Sequence, residues 1–153
     1  MKEAKKELAV AALENGTVID HLPCTAVYKA VRILGIENMS NSVTIGNNLA
    51  SKRMGRKAII KVADIEFDTN SLNRIAIIAP NAVVNTIRDY TVAEKKTVEL
   101  PDVLVGVVRC SNPKCITNNE PMSTRFEVVD RENTVLRCCY CNRCVDGRDA
   151  EIL

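Results

Sequence analysis

Cys110-Ser111-Asn112-Pro113-Lys114-Cys115, then 22 residues, then Cys138-Cys139-Tyr140-Cys141-Asn142-Arg143-Cys144: this stretch holds six of the seven cysteines in the chain. Two close pairs of thiols separated by about one hairpin of sequence suit a tetrahedral thiolate metal site. Each pair turns a tight knuckle, and the loop between them brings the knuckles together. Cys110 and Cys115 are the candidates on the first side. On the second side both Cys138/Cys141 and Cys141/Cys144 have C-x2-C spacing. The alternation Val135, Leu136, Arg137 reads as a strand running into a knuckle at Cys138, which favours Cys138/Cys141 and leaves Cys144 as a spare thiol. Cys139 then points outward. The alternatives are a disulfide framework or buried unpaired thiols. Tetrahedral thiolate sites favour zinc over iron. Such a metal would hold together roughly the last third of the chain, which is small for a self-sufficient core.

The rest of the composition describes an ordinary globular protein. The chain has 153 residues, 46% hydrophobic, enough for one domain or two small ones. Its five aromatics are Tyr28, Phe67, Tyr90, Phe126 and Tyr140, with no Trp, so the core must be aliphatic. The net charge of +2, with Lys and Arg dispersed, argues against a nucleic-acid partner. The apolar run 8–13 is too short for a signal peptide core or a membrane span. A cytoplasmic chain without a membrane partner is expected, with thiols free or metal-bound rather than oxidised.

Asn15-Gly16 between the runs 8–13 and 17–21 signals a hairpin. Pro23 opens a helix on which Cys24, Val27, Val31 and Leu34 share a face, with Gly35 as cap. Residues 42–46 alternate like a strand, 47–56 read as a basic loop, and 58–62 form a second strand. Asp68 or Thr69 caps a second helix whose face is Leu72, Ile75, Ala76 and Ala79, stopped by Pro80. A strand at 82–87 turns at Arg88-Asp89 into Tyr90-Thr91-Val92, and 95–101 reads as a linker. Short strands at 103–108, 125–129 and 134–138 follow. The order strand, helix, strand, strand, helix, strand, with an extra strand near each end, predicts an α+β fold. Its first part is a ferredoxin-like antiparallel sheet with two helices on one face, followed by a small all-β metal-binding domain.

Catalytic chemistry finds little support. The single histidine, His21, adjoins Asp20 on a strand, where neighbours point to opposite faces. No phosphate-binding glycine loop is present, and four thiolates leave a metal no open position. The chain reads as a non-enzyme. Taken one at a time, Asp20, His21, Lys61 and Lys95 are ordinary surface or strand-end residues.

Longer stretches carry more. These are Asn15-Gly16-Thr17-Val18-Ile19-Asp20-His21-Leu22-Pro23, Val43-Thr44-Ile45-Gly46-Asn47-Asn48-Leu49, and Met54-Gly55-Arg56-Lys57-Ala58-Ile59-Ile60-Lys61. With them go Ala79-Pro80-Asn81-Ala82-Val83-Val84-Asn85-Thr86-Ile87, Leu100-Pro101 and the cysteine cluster. Together, across nearly the whole chain, they closely resemble the regulatory chain of aspartate carbamoyltransferase, an enzyme of pyrimidine biosynthesis. The resemblance implies a nucleotide-effector domain over 1–99 that pairs with a second regulatory chain. It implies a zinc domain over 100–153 that docks on a separate catalytic chain. The expected effectors are CTP, UTP and ATP. Lys61 and Lys95 match triphosphate contacts and Asp20 a ribose contact, with His21 lining the pocket. Leu13, Tyr90 and Val92 fall where backbone groups meet the base, with Asn85 close by. Cys110, Cys115, Cys138 and Cys141 match the ligands of one structural Zn2+ per chain.

The sequence departs from the family's pattern in places. Glu7 stands where a lysine is expected, near the place of a second, metal-bridged nucleotide. Lys114 replaces an asparagine and Asn142 an acidic residue where the family meets its catalytic chain, and Cys139 and Cys144 are additional thiols. Two rival readings follow from the residues themselves. A zinc-ribbon nucleic-acid-binding protein would need stacking aromatics on the central strands, and 17–21 and 82–87 carry none. A thiol redox protein using Cys138 and Cys141 would need metal-free, reactive thiols.

Overall fold

In the computed structural model, residues 12–153 are described. The chain divides into two compact units, with the boundary between Val98 and Glu99. The first contains β1 (Gly16–Leu22), α1 (Val27–Ile33), β2 (Val43–Ser51), β3 (Gly55–Ala63), α2 (Thr69–Ile75), β4 (Val83–Arg88) and β5 (Thr91–Thr97). Its sheet runs β2-β3-β1-β4-β5, every neighbouring pair antiparallel. The first six elements give the ferredoxin-like order that the sequence predicts, and β5 is the extra strand at the C-terminal side. The run 8–13 expected to precede β1 falls largely outside the described residues, and the described Ala12 and Leu13 are not in a strand.

Alternation decides which face is core. Thr17, Ile19, Ala58, Ile60, Val62 and Val84 are buried, and so are Val27 and Ala30 of α1 and Leu72 and Ile75 of α2. Thr17 satisfies its buried hydroxyl by donating to Ile65 O at 2.7 Å. The Asp68 carboxylate accepts from Ser71 N at 2.7 Å, which fixes the start of α2. Helix α1 begins at Val27 rather than at Pro23, because Ala26 N bonds to Pro23 O and closes a turn first. Gly35, at φ 66°, ends it as expected.

Two segments read as irregular are strands. The expected basic loop over 47–56 is mostly the end of β2, a tight turn and the start of β3. Asn47 and Asn48 form a bulge instead of a loop. The register shifts between Gly46 and Leu49, and Asn48 takes φ 58° with its N–H on Asn47 Oδ1. The expected linker over 95–101 begins as strand: Lys95, Lys96 and Thr97 pair with Asn85, Val84 and Val83.

The second unit contains β6 (Val103–Val105), β7 (Val108–Arg109), β8 (Arg125–Asp130), β9 (Val135–Cys138), β10 (Cys144–Asp146) and β11 (Glu151–Ile152). One sheet runs β10-β9-β8-β6, and β11 pairs with β7. Phe126, Leu136, Leu104 and Val108 form its small core. The single strand expected over 103–108 is broken at Gly106, whose φ of 69° turns the chain while its N–H bonds to Thr124 O. Among the described residues no helix is long and apolar enough to cross a membrane.

Gly16 is the most closely approached glycine of the first sheet. It sits at φ 145°, and a Cβ there would lie 2.1 Å from Val62 O. Gly16→Ala should therefore lower unfolding stability by at least ~2 kcal/mol, read as a drop in urea midpoint. An unchanged midpoint would show that β1 and β3 are not held this close.

Candidate functional site

The face of the first sheet opposite the buried one presents three cross-strand rows. Gly16 pairs with Ile87, and Ile87 with Val92. Next, Lys61 pairs with Val18, Val18 with Asn85, and Asn85 with Lys95. Then Asp20 pairs with Val83, and Val83 with Thr97. Rows two residues apart on a strand are separated by roughly 7 Å. Lys61, Asn85 and Lys95, far apart in sequence, thus lie in one line, with Asp20 one row away. Leu13 lies over Gly16, close to the first row. Tyr90 and Val92 are exposed at that end, where Asp89 and Tyr90 turn the chain at φ 51° and 66°. Tyr90 N donates to Glu14 O at 2.9 Å, which holds the turn near the start of β1.

Asp20 and His21 do not point to opposite faces, as regular alternation would require. Ile19 pairs with Ile60 but Leu22 with Ala58, so β1 carries an extra residue here, and His21 sits at φ 59°. The bulge folds the imidazole back, with Nδ1 3.3 Å from Asp20 Oδ1. The His21 N–H donates to the same oxygen at 2.6 Å. His21 also lines a cavity of about 490 Å³ with Arg53, Met54, Pro80, Asn81, Val83, Thr97 and Val98, which continues the third row.

Lys57 completes this cluster, and it is the residue that the sequence reading missed. Its ammonium lies 2.8 Å from Asp20 Oδ1 and 3.1 Å from Oδ2. The available signal was spacing, since Lys57 precedes Lys61 by four and shares its face of β3. Burial works against ionisation of Asp20. The Lys57 ammonium and the His21 N–H outweigh it and bring the pKa below the usual carboxylate value. Partial burial lowers the Lys61 pKa, and the Asp20 charge offsets part of that. One buried acceptor at the face, Asn85 Oδ1, has no hydrogen-bond partner. An unmet buried polar group of this kind costs about 1–3 kcal/mol, a cost that a ligand donor would relieve. No aromatic stands on β1, β3 or β4.

The second unit gathers Cys110, Cys115, Cys138 and Cys141, whose sulfurs all lie within 4.8 Å of one another. Cys110 and Cys141 are 3.5 Å apart, and Cys115 and Cys138 3.8 Å. Sulfurs roughly 2.3 Å from one tetrahedral ion lie about 3.8 Å apart, so the four thiols fit a metal. None of the seven cysteines forms a disulfide. Strand β9 delivers Cys138, as expected; Cys144 lies on β10, exposed, and Cys139 is half-buried.

Donors surround the sulfurs. Asn112 N–H serves Cys110, the Tyr140 and Cys141 N–H groups serve Cys138, and Arg143 N–H and the Asn112 side chain serve Cys141. Burial pushes the Cys110 thiol up to about 12 and raises that of Cys138, while the Arg143 N–H brings Cys141 down to about 7. A bound dication would take all four as thiolates.

Comparison with known proteins agrees on both units. Residues 8–99 match the family model described as aspartate carbamoyltransferase regulatory chain, allosteric domain. Residues 102–151 match that of its metal binding domain. Proteins named aspartate carbamoyltransferase regulatory chain include one from Parabacteroides distasonis, 57% identical over 147 residues, 96% of each chain. One from Bacteroides fragilis is 51% identical over the full length of both. One from Pyrococcus abyssi is 46% identical over 94% of this chain and 95% of its own.

The Asp20 ion pair yields a pH test. A depressed carboxylate pKa contributes stability that is present above the unfolded value of ~3.9 and is lost as pH falls through the folded value. Lys57→Met should move the Asp20 titration, followed by carboxyl NMR, to higher pH and shrink that acid-sensitive stability. An unmoved titration would mean that Lys57 does not hold Asp20 in solution.

Proposed function

The chain belongs to the aspartate carbamoyltransferase regulatory chain family, and on that premise we propose that it is an allosteric adaptor switched by nucleotide triphosphates. As a regulatory chain it associates with the catalytic chain and does no chemistry itself. The proposal adds what it binds and how it signals. CTP, UTP and ATP occupy the open face of the first domain, residues 1–99. Lys61 and Lys95 receive the polyphosphate, Asp20 accepts from the ribose hydroxyls, and His21 lines the pocket. Backbone groups at Leu13, Tyr90 and Val92 meet the base, beside Asn85. The second domain, residues 100–153, holds one structural Zn2+ on Cys110, Cys115, Cys138 and Cys141 and docks on the catalytic chain. The chain pairs with a second regulatory chain and works in the cytoplasm, in pyrimidine biosynthesis.

One observation carries the nucleotide assignment: the register places Lys61, Asn85 and Lys95 in a single row, with Asp20 in the next. Two ammonium groups offset much of a triphosphate's charge, and a carboxylate accepts readily from two vicinal hydroxyls. The unpartnered Asn85 Oδ1 supplies an acceptor between the two lysines, where an exocyclic amine or a hydroxyl would donate. The Lys57–Asp20 pair has a further role in this reading. Lys57 lies beside Asp20 and shifts toward the phosphate when the ribose engages the carboxylate. Effector binding is coupled to the catalytic chain by ~1–3 kcal/mol, and the coupling is reciprocal. The zinc supplies the rigidity of the docking domain, as thiolate sites do in domains with small cores.

Two measurements decide the reading. Lys61→Ala should weaken CTP and ATP in calorimetric titration by at least about tenfold, ~1.4 kcal/mol, while Lys29→Ala on α1 leaves both unchanged. Equal affinities in wild type and Lys61→Ala would remove the effector assignment. Mercurial treatment of the assembled enzyme should release free catalytic subunit, and zinc with a thiol reductant should restore the complex. An assembly that stays intact after all its zinc is lost would contradict the docking role.

A further inference from the structure

The loop that carries the first two metal ligands spans Cys110–Cys115. It is longer than a C-x2-C knuckle and so has more backbone freedom to lose on ordering. The structure restrains it from outside. Asn118 Nδ2 donates to Cys110 O at 2.9 Å and to Asn112 O at 2.8 Å. Asn119 Nδ2 donates to Pro113 O at 3.1 Å and to Cys115 O at 2.9 Å. Two adjacent carboxamides thus hold the carbonyls of four of the six loop residues, each using both of its N–H donors. Flipping either amide would set its oxygen against two carbonyls, so the orientation is fixed by the contacts themselves.

Both asparagines are placed by the short 3-10 turn Ile116–Asn118 that follows Cys115, with Asn118 N on Cys115 O and Asn119 N on Ile116 O. The same turn sets the Thr117 hydroxyl 3.2 Å from Cys115 Sγ. A metal-bound thiolate only accepts, so the hydroxyl donates.

We propose that Thr117, Asn118 and Asn119 are positioning residues for the metal. The two carboxamides keep the Cys110–Cys115 loop in its ligating shape, and the hydroxyl orients and tunes the Cys115 sulfur. This rests on the four-thiolate zinc reading. None of the three is a ligand, and the four carboxamide bonds do not involve the ion. Their effect is therefore on how fast the ligands open. Outer-shell partners of this kind typically carry about 10–100-fold in metal affinity.

The test uses the full-length chain loaded with zinc, with release followed by a chromophoric chelator in excess. Asn118→Asp keeps the shape of the side chain and removes its donors. It should release zinc about 10–100-fold faster than wild type, with Asn119→Asp behaving alike. Thr117→Val should also release faster, and Thr117→Ser should return to the wild-type rate. In the cobalt-substituted chain, Thr117→Val should shift the thiolate-to-cobalt charge-transfer band, and Asn118→Asp should leave it in place. A general loss of folding would move both. If the wild-type chain takes up no metal, the zinc reading itself is wrong. If the wild type binds one zinc tightly and the aspartate and valine variants release it at the wild-type rate with an unshifted band, the positioning role alone is overturned.

Discussion

Four buried or half-buried sulfurs converge on one point in the second unit, and little else there is large enough to hold the chain together. Neutral thiols gain almost nothing from such an arrangement, and thiolates would repel one another. A central dication turns the same geometry into the strongest contact in the unit. The surrounding structure is built to deliver it. The β8–β9 hairpin brings Cys138 against Phe126, the turn after Cys138 returns Cys141, and the loop before the 3-10 turn supplies Cys110 and Cys115. Backbone N–H groups then converge on the sulfurs. The departures Lys114 and Asn142 stand on the two knuckles, beside exposed Ile116 and Tyr140. Both side chains are exposed and polar, and neither belongs to the four-cysteine cluster.

The first unit solves a different problem. One sheet face is consumed by the aliphatic core, and the other carries the row of Lys61, Asn85 and Lys95, over which no second layer lies among the described residues. A single inserted residue in β1 changes that face from a regular strip into a cluster. It turns His21 beside Asp20 and lets Lys57 reach the same carboxylate. The result is a compact set of opposite charges next to a cavity.

Much of this was legible in the sequence. Alternation and helix spacing identified β1, β3, β4 and both helices, and the antiparallel order followed from their sequence. The strand leading into Cys138 pointed to Cys138 and Cys141, the two thiols whose sulfurs the structure gathers with those of Cys110 and Cys115. What was not legible has a common physical cause. Asn47-Asn48 and Gly106 look alike as loop formers, but tertiary pairing made the first a bulge inside a hairpin and the second a break between two sheets. Lys95 and Lys96 lack the apolar alternation of a strand because β5 is an edge with most of its residues exposed, so charge there says nothing against pairing. The Asp20–His21 approach depends on one register shift, and the cross-strand row depends on pairing, neither of which is encoded locally. Residue types beyond the ligands, such as Asn112, Asn118 and Asn119, became informative only once their carbonyl and sulfur partners were in place.

In the proposed function the two halves meet in one requirement: a signal received on the first domain's face would reach a partner only if the second domain is rigid, and in that proposal the rigidity is assigned to the metal. X-ray absorption at the zinc edge of the purified full-length chain tests this most directly. The account predicts one zinc per chain with a first shell of four sulfurs at about 2.3 Å. A shell containing nitrogen or oxygen, or fewer than four sulfurs, would contradict it.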